Sequence, residues 1–167
     1  MRARRESAFV SSRVAALIKT LVFTVVVPGT VTVGVPYILL PPGARARLGG
    51  LGPLGALLVL VGAAVYLDCA WNFAIVGLGT PAIIDPPKRL VAKGLHRRVR
   101  NPMYVGVISI VFGESILFRL FDLVAYALIL CLMFHLFVVF YEEPTLRKKF
   151  GADYEEYCKA VPRWIPR

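Results

Sequence analysis

The stretch LFDLVAYALILCLMFHLFVVF, residues 120–140, is an almost unbroken run of apolar side chains. A helix needs about 20 residues to cross the hydrocarbon layer of a membrane, so this run predicts one spanning helix. Three further apolar runs precede it, at residues 14–40, 51–78 and 104–118. The last of them reaches spanning length only if its helix extends by about two residues at each end. The sequence therefore predicts an all-α, polytopic membrane protein with about four transmembrane helices and short C-terminal helices on the cytoplasmic side.

The composition of the whole chain agrees with this class. The chain has 167 residues, of which 57% are hydrophobic, and its mean hydropathy is +0.68. Soluble domains have an apolar share nearer half, because they need a polar surface. The polar linkers are short and no internal repeat is present, so we predict one integral membrane domain over residues 1–167. The cysteines form no C-x-x-C motif and predict no disulfide framework.

The basic residues predict how the chain is oriented in the membrane. Of the 20 Lys and Arg residues, 16 lie before the first apolar run, between the second and third, or after the fourth. Basic residues accumulate on the cytoplasmic side of membrane proteins, so both termini and the middle loop are predicted to be cytoplasmic. Because these charges flank the spans, the net charge of +10 indicates anionic lipid as the partner rather than nucleic acid.

A first polar motif, Arg100-Asn101-Pro102-Met103-Tyr104, precedes the third run. Asn is a favoured N-cap residue and Pro suits the first helical position, so a helix is predicted to begin at Pro102. The free backbone N–H groups of such a helix start, together with the Arg100 guanidinium, suit a carboxylate or a phosphate. A capped helix with arginines at the membrane surface is the alternative interpretation, and the local pattern leaves both open.

A second polar motif, Tyr141-Glu142-Glu143-Pro144, follows the fourth run. Proline removes a helix hydrogen bond, so the helix is predicted to stop at Pro144 and to leave both carboxylates at its C-terminus. The helix dipole disfavours acids there, which indicates a specific partner for them. That partner is either the ammonium or ribose hydroxyls of a ligand, or the basic residues of the middle loop.

Other local signals concern helix boundaries. Pro28-Gly29 is predicted to kink or break the first helix, because proline removes a backbone hydrogen bond and glycine adds freedom. Gly151 is predicted to stop a helix, and Asp153 with Glu156 is predicted to form a capping box for a last short one.

Ionisable side chains inside apolar spans are candidates for function, because they are costly in a membrane. Asp68, Glu114 and His135 are such residues, and Asn72 shares a helix face with Asp68. The sequence leaves open whether they meet in space; as one polar cluster they would act either as structural glue or as a proton relay.

The chain resembles the isoprenylcysteine carboxyl methyltransferase and phospholipid N-methyltransferase family of membrane enzymes. The resemblance covers residues 74–167 and rests on both motifs at their separation in this chain. The matching residues are Arg100-Asn101-Pro102-x-Tyr104-x-Gly106, Glu142-Glu143, Leu146, Phe150-Gly151, Tyr154, Tyr157 and Val161-Pro162-x-x-Ile165-Pro166. It implies a methyltransferase that uses S-adenosylmethionine, with the cofactor-binding part at about residues 77–167.

The resemblance also implies which residues carry the function. Arg100 is expected beside the cofactor carboxylate, and Glu143 or His135 is expected to act as base for an amine acceptor. The family usually has Tyr at the position of His96 and often has His at that of Asn101. The implied cofactor-binding residues are Lys88, Arg89, Leu90, Val91, His96, Asn101, Pro102, Met103, Tyr104 and Glu142, with Gly77 and Gly79 matching a Gly-x-Gly motif of the phospholipid branch.

The acceptor is expected to be a lipid or a lipidated molecule. The isoprenylcysteine branch carries an acceptor-binding arginine about one turn before the glutamates, where this chain reads Phe137-Val138-Val139-Phe140. A prenylcysteine carboxylate is therefore not the expected acceptor. Two alternatives stay open: an NADPH-dependent membrane reductase of sterol or fatty double bonds, whose phosphates would suit the loop arginines, and a non-enzymatic membrane scaffold or transport subunit.

Overall fold

The computed structural model describes residues 2–77, 90 and 92–166, and the regular structure within these ranges is helical. α1 comprises Arg2–Gly29, a π turn at Thr30–Gly34, and Val35–Leu39. α2 comprises Gly52–Asn72 and a π turn at Phe73–Gly77. A 3₁₀ turn at Gly94–Arg97 leads into α3, Pro102–Phe118. α4 comprises Phe121–Phe137, a π turn at Val138–Glu142, and Glu143–Phe150, and α5 is Ala152–Ala160.

Within the described residues, three helices are long and apolar enough to cross a membrane, at Leu17–Leu39, Gly52–Ile75 and Phe121–Phe150. α3 is also apolar and has 17 residues. That length is about 25 Å at 1.5 Å per residue, short of the roughly 30 Å of a hydrocarbon layer. The predicted all-α membrane protein is confirmed, and the third apolar run gains residues only at its start, Pro102.

α2 and α3 pack along four glycines, which we call the glycine seam: Gly55, Gly62, Gly106 and Gly113. A Cβ atom on Gly62 would lie 2.6 Å from the carbonyl oxygen of Gly106, and one on Gly113 would lie 2.6 Å from that of Gly55. Small residues let membrane helices approach this closely, and the two glycines of each helix lie about two turns apart. A side chain at these positions would meet backbone and force the helices apart.

α1 and the helix connections are tied to this pair by hydrogen bonds. The π turn of α1 leaves the Val31 carbonyl free to accept from the Tyr126 hydroxyl of α4, at 3.0 Å. At the opposite end from the polar motifs, the Arg119 guanidinium donates to the Gly49 carbonyl at 3.1 Å. Arg119 itself has a left-handed backbone, with φ of 51°, which makes the sharp turn between α3 and α4.

Three predicted helix boundaries are wrong. Pro28-Gly29 does not break α1, because the helix continues through the π turn that follows it to Leu39. Pro144 does not stop α4, because it stands in the first turn after a π turn and the helix continues to Phe150. The predicted capping box of Asp153 and Glu156 does not form, because Gly151 is the N-cap of α5 and no side chain caps that helix. The prediction that Gly151 stops a helix is confirmed, since α4 ends at Phe150 with Gly151 as its C-cap.

Candidate active site

Both polar motifs meet at one end of the bundle, which we call the motif end. Three parts of the chain build it: the start of α3, the π turn of α4, and residues 161–166 after α5, which we call the C-terminal segment. Asn101 occupies the predicted N-cap position of α3, although its side chain does not cap the helix. Its Nδ2 instead donates to the Arg163 carbonyl at 3.2 Å, which joins the first motif to the C-terminal segment.

Tyr104 and Glu142 connect the two motifs directly. The Tyr104 hydroxyl donates a hydrogen bond to Oε2 of Glu142 at 2.8 Å. The Tyr104 ring lies 4.7 Å from the ring of Phe134 and 6.4 Å from that of Trp164, measured between centroids. A carboxylate is thereby held at the edge of an aromatic cluster, an arrangement that suits a cation with apolar substituents.

Glu143 has a different environment, although it is the next residue in the chain. Its side chain is 3% exposed, and Arg163 binds it with two hydrogen bonds, from Nε at 2.7 Å and from Nη2 at 3.0 Å. Arg100 reaches its Oε1 at 3.0 Å, and Arg147 reaches its Oε2 at 3.5 Å. Two partners were open for the carboxylates of the second motif: a ligand, or the basic residues of the middle loop. Glu143 pairs with Arg100 of that loop, as well as with Arg147 and Arg163. The contacts favour a structural role for Glu143.

The C-terminal segment contacts the start of the first motif and Glu143 of the second motif. Its Pro162 carbonyl accepts from the Arg100 amide at 2.9 Å. Trp164 Nε1 donates to His135 Nδ1 at 3.2 Å, and the two rings are 6.2 Å apart. Because Nδ1 accepts, the neutral imidazole carries its proton on Nε2 and presents a donor there. In this arrangement His135 offers no free basic nitrogen.

His96 is buried on the α2 side of the same end. Its ring packs edge-on against Phe73, with centroids 5.4 Å apart, and its carbonyl accepts from the Tyr157 hydroxyl at 2.6 Å. Burial lowers the pKa of His96 to about 4, and the opposing attraction of the Asp68 carboxylate only partly offsets this. The imidazole is therefore neutral at physiological pH.

The structure thus brings together most of the predicted site residues that it describes. Leu90 is half-buried, Gly77 ends the π turn of α2, and the Met103 side chain packs into the core with Tyr66 and Val107. The predicted residues at the motif end are Arg100, Asn101, Pro102, Tyr104, His135, Glu142 and Glu143. Lys88, Arg89, Val91 and Gly79 lie outside the described residues.

The polar residues of the spans do not form one cluster within the part of the chain that the structure describes. Asp68 lies beneath the 3₁₀ turn, where its Oδ2 would be 3.2 Å from a Cβ on Gly94. Glu114 lies near the other end of α3, about one turn before Phe118. His135 pairs with Trp164 at the motif end. The three groups therefore have separate surroundings and cannot form one relay.

Two residues of the site were not predicted, Arg163 and Trp164. In the family pattern they occupy the unspecified positions between Pro162 and Ile165. The prolines on either side of them, Pro162 and Pro166, give no sign that the chain returns to the motifs.

The helices and the motif end define an integral membrane protein with one aromatic and charged site at the end of its bundle. The sequence model of a family described as phospholipid methyltransferase matches residues 52–153 of the 167-residue chain, a range that contains both motifs. The chain belongs to the phospholipid methyltransferase family, and the predicted family resemblance is confirmed. Comparison with curated proteins and with solved structures gives no match.

Proposed function

We propose that this protein transfers a methyl group from S-adenosylmethionine to a lipid or lipidated acceptor at the cytoplasmic membrane face. The observation that carries the proposal is the contact between Tyr104 and Glu142 beside Trp164, in a chain of this family. The cytoplasmic assignment rests on the basic residues that flank the motif end.

The residues at the motif end fit the cofactor's chemical groups. S-adenosylmethionine supplies an activated methyl group on a sulfonium, and it also carries a carboxylate, an ammonium and ribose hydroxyls. Nε of Arg100 is buried and has no acceptor among the described residues, so it is available to a carboxylate. Glu142 can accept from an ammonium or a hydroxyl, and the faces of Tyr104 and Trp164 can stabilise a cation.

The site residues differ in what they can do during the reaction. Methyl transfer is an in-line displacement, so alignment of the reacting atoms is the main requirement. The Tyr104 hydroxyl orients Glu142, and the Trp164 ring of the C-terminal segment lies beside the Tyr104 ring. The Arg163 pair saturates Glu143, and Trp164 occupies Nδ1 of His135, so either residue must lose a partner before it can accept a proton from an amine.

The test is isothermal titration of the detergent-purified protein with S-adenosylhomocysteine, with NADPH as the parallel ligand. We expect saturable binding of S-adenosylhomocysteine to the wild type. Glu142→Gln should weaken that binding at least about tenfold, because a charge-assisted hydrogen bond contributes about 1.5–3 kcal/mol. The exposed Glu156→Gln is the matched control and should bind as the wild type does.

The other outcomes each favour a different conclusion. Unchanged affinity in Glu142→Gln would reject the assignment of Glu142 to the binding site. It would not contradict S-adenosylmethionine as the cofactor. Binding of NADPH alone would favour the reductase, whose phosphates the exposed Arg97 and Arg98 would suit. Binding of neither ligand would favour a scaffold or transport subunit.

A further inference from the structure

A groove of about 470 Å³ opens on the exposed surface of α2, beside the 3₁₀ turn. We propose that this groove binds the headgroup and upper acyl chain of a zwitterionic phospholipid, at a site separate from the motif-end site. It shares no lining residue with the Tyr104, Glu142 and Trp164 site, and the inference does not depend on methyl transfer. The residues that line it are Ala64, Val65, Asp68, Gly94, Leu95 and Arg98.

The charges of the groove match a headgroup that carries both signs. Asp68 and Arg98 both line the groove and are both exposed, and the structure records no ion pair between these two described side chains. A phospholipid ammonium can pair with the carboxylate while its phosphate pairs with the guanidinium. Both charges are then satisfied by one molecule.

The position of the groove matches the depth of a headgroup. Asp68 lies within the apolar helix Gly52–Ile75, where an acid facing lipid is costly without a partner. Trp71 stands on the same exposed surface, and tryptophan favours the headgroup level of a membrane. Ala64 and Val65 lie about one turn deeper, where an acyl chain would contact them.

Gly94 keeps the carboxylate accessible. Its φ of +57° favours glycine, and a Cβ there would stand 3.2 Å from Oδ2 of Asp68 and 3.1 Å from Nδ2 of Asn72. The 3₁₀ turn therefore passes over Asp68 without a side chain in the space where an ammonium would sit.

The test measures lipid retained by the full-length protein after purification from mixed vesicles of phosphatidylethanolamine and phosphatidylglycerol. The wild type should retain phosphatidylethanolamine in preference, and Asp68→Asn and Arg98→Gln should each lower retention at least about threefold. Arg97→Gln, on the same turn but outside the groove, is the matched control. If Asp68→Asn does not fold, Ala64→Phe fills the groove without removing a charge and should lower retention equally.

Two results would overturn the proposal: retention in Asp68→Asn and Ala64→Phe equal to that of the wild type, or loss of retention in Glu142→Gln alone. The second would place the lipid at the motif end. Titration of the same variants with S-adenosylhomocysteine separates this inference from the proposed function, because groove variants should keep the affinity of the wild type.

Discussion

The glycine seam and the motif end are both closely packed, and they are built in opposite ways. At the seam, Gly62 and Gly106 present only backbone, and close approach depends on the absence of side chains. At the motif end, Glu143 is surrounded by three arginines, and packing depends on charges that satisfy one another. The seam should therefore be sensitive to added atoms, and the motif end to removed charges.

The largest expected effect is at the seam. Gly62→Ala places a Cβ 2.6 Å from the Gly106 carbonyl oxygen and 3.0 Å from the Ile110 amide nitrogen, so the helices must separate. We expect a cost of about 3 kcal/mol, at the upper end for overpacking. Thermal unfolding in detergent would measure it. Gly49→Ala is the control, because a Cβ there meets nothing within 4 Å, and equal stability of the two variants would contradict the seam.

The second effect tests the motif end by removing one charge. Glu143→Gln keeps the shape of the side chain but leaves Arg163 and Arg100 without a buried anion. Breaking a buried ion pair costs about 3 kcal/mol, and somewhat less where water can reach the remaining charge. The melting temperature should therefore fall, and proteolysis of the C-terminal segment should become faster.

The control for that variant is an ion pair in solvent. Arg147 also pairs with Glu155, at 2.8 Å, but both side chains are close to half exposed. Such pairs contribute less than about 1 kcal/mol, so Glu155→Gln should hardly change either measurement. Equal losses in the two variants would show that burial does not distinguish these carboxylates.

The smallest effect separates the two regions by pH, because the glycine seam contains no titratable group. The pKa of His96 is lowered to about 4, whereas an unfolded histidine has a pKa of about 6.5. As pH falls from 6.5 towards 4 the unfolded chain takes up this proton first, so stability falls, and between pH 6.5 and 5.5 the loss is about 1 kcal/mol. Other groups that titrate in this range also change the stability. The difference between the pH curves of the wild type and His96→Gln isolates the contribution of His96. Parallel pH curves for the two proteins would reject a neutral buried His96.

Much of the fold was predictable because membrane helices are recognised by local hydropathy. The apolar runs located α1 to α4, and Asn101-Pro102 located the start of α3. The continuation of α4 past Pro144 was not predictable, because it depends on a π turn upstream that no residue pattern announces. The glycine seam does have a visible signal in the sequence, the matched spacing of two glycines in each helix.

The two motifs of the candidate site were predicted from the sequence. The residues of the C-terminal segment that contact them, Arg163 and Trp164, were not. Residues in one motif are close in sequence, so their proximity follows from helix geometry alone. The contacts of Arg163 and Trp164 join positions about 20 to 60 residues apart, and only the packing of the C-terminal segment brings them together. For the same reason, the separate surroundings of Asp68, Glu114 and His135 could not be read from their spacing.

The π turn at Val138–Glu142 has a consequence for how such proteins diverge. A π turn holds one residue more than the α-helical turn it replaces, and each residue rotates a helix by about 100°. A homologue with a one-residue deletion in this turn could keep every residue of both motifs. Its helix would nevertheless be rotated, so that Glu142 would point away from Tyr104 and Glu143 would point away from its arginines. Inheritance of the site thus depends on a residue count as well as on residue identity, and the length of this turn should be compared before function is transferred between relatives.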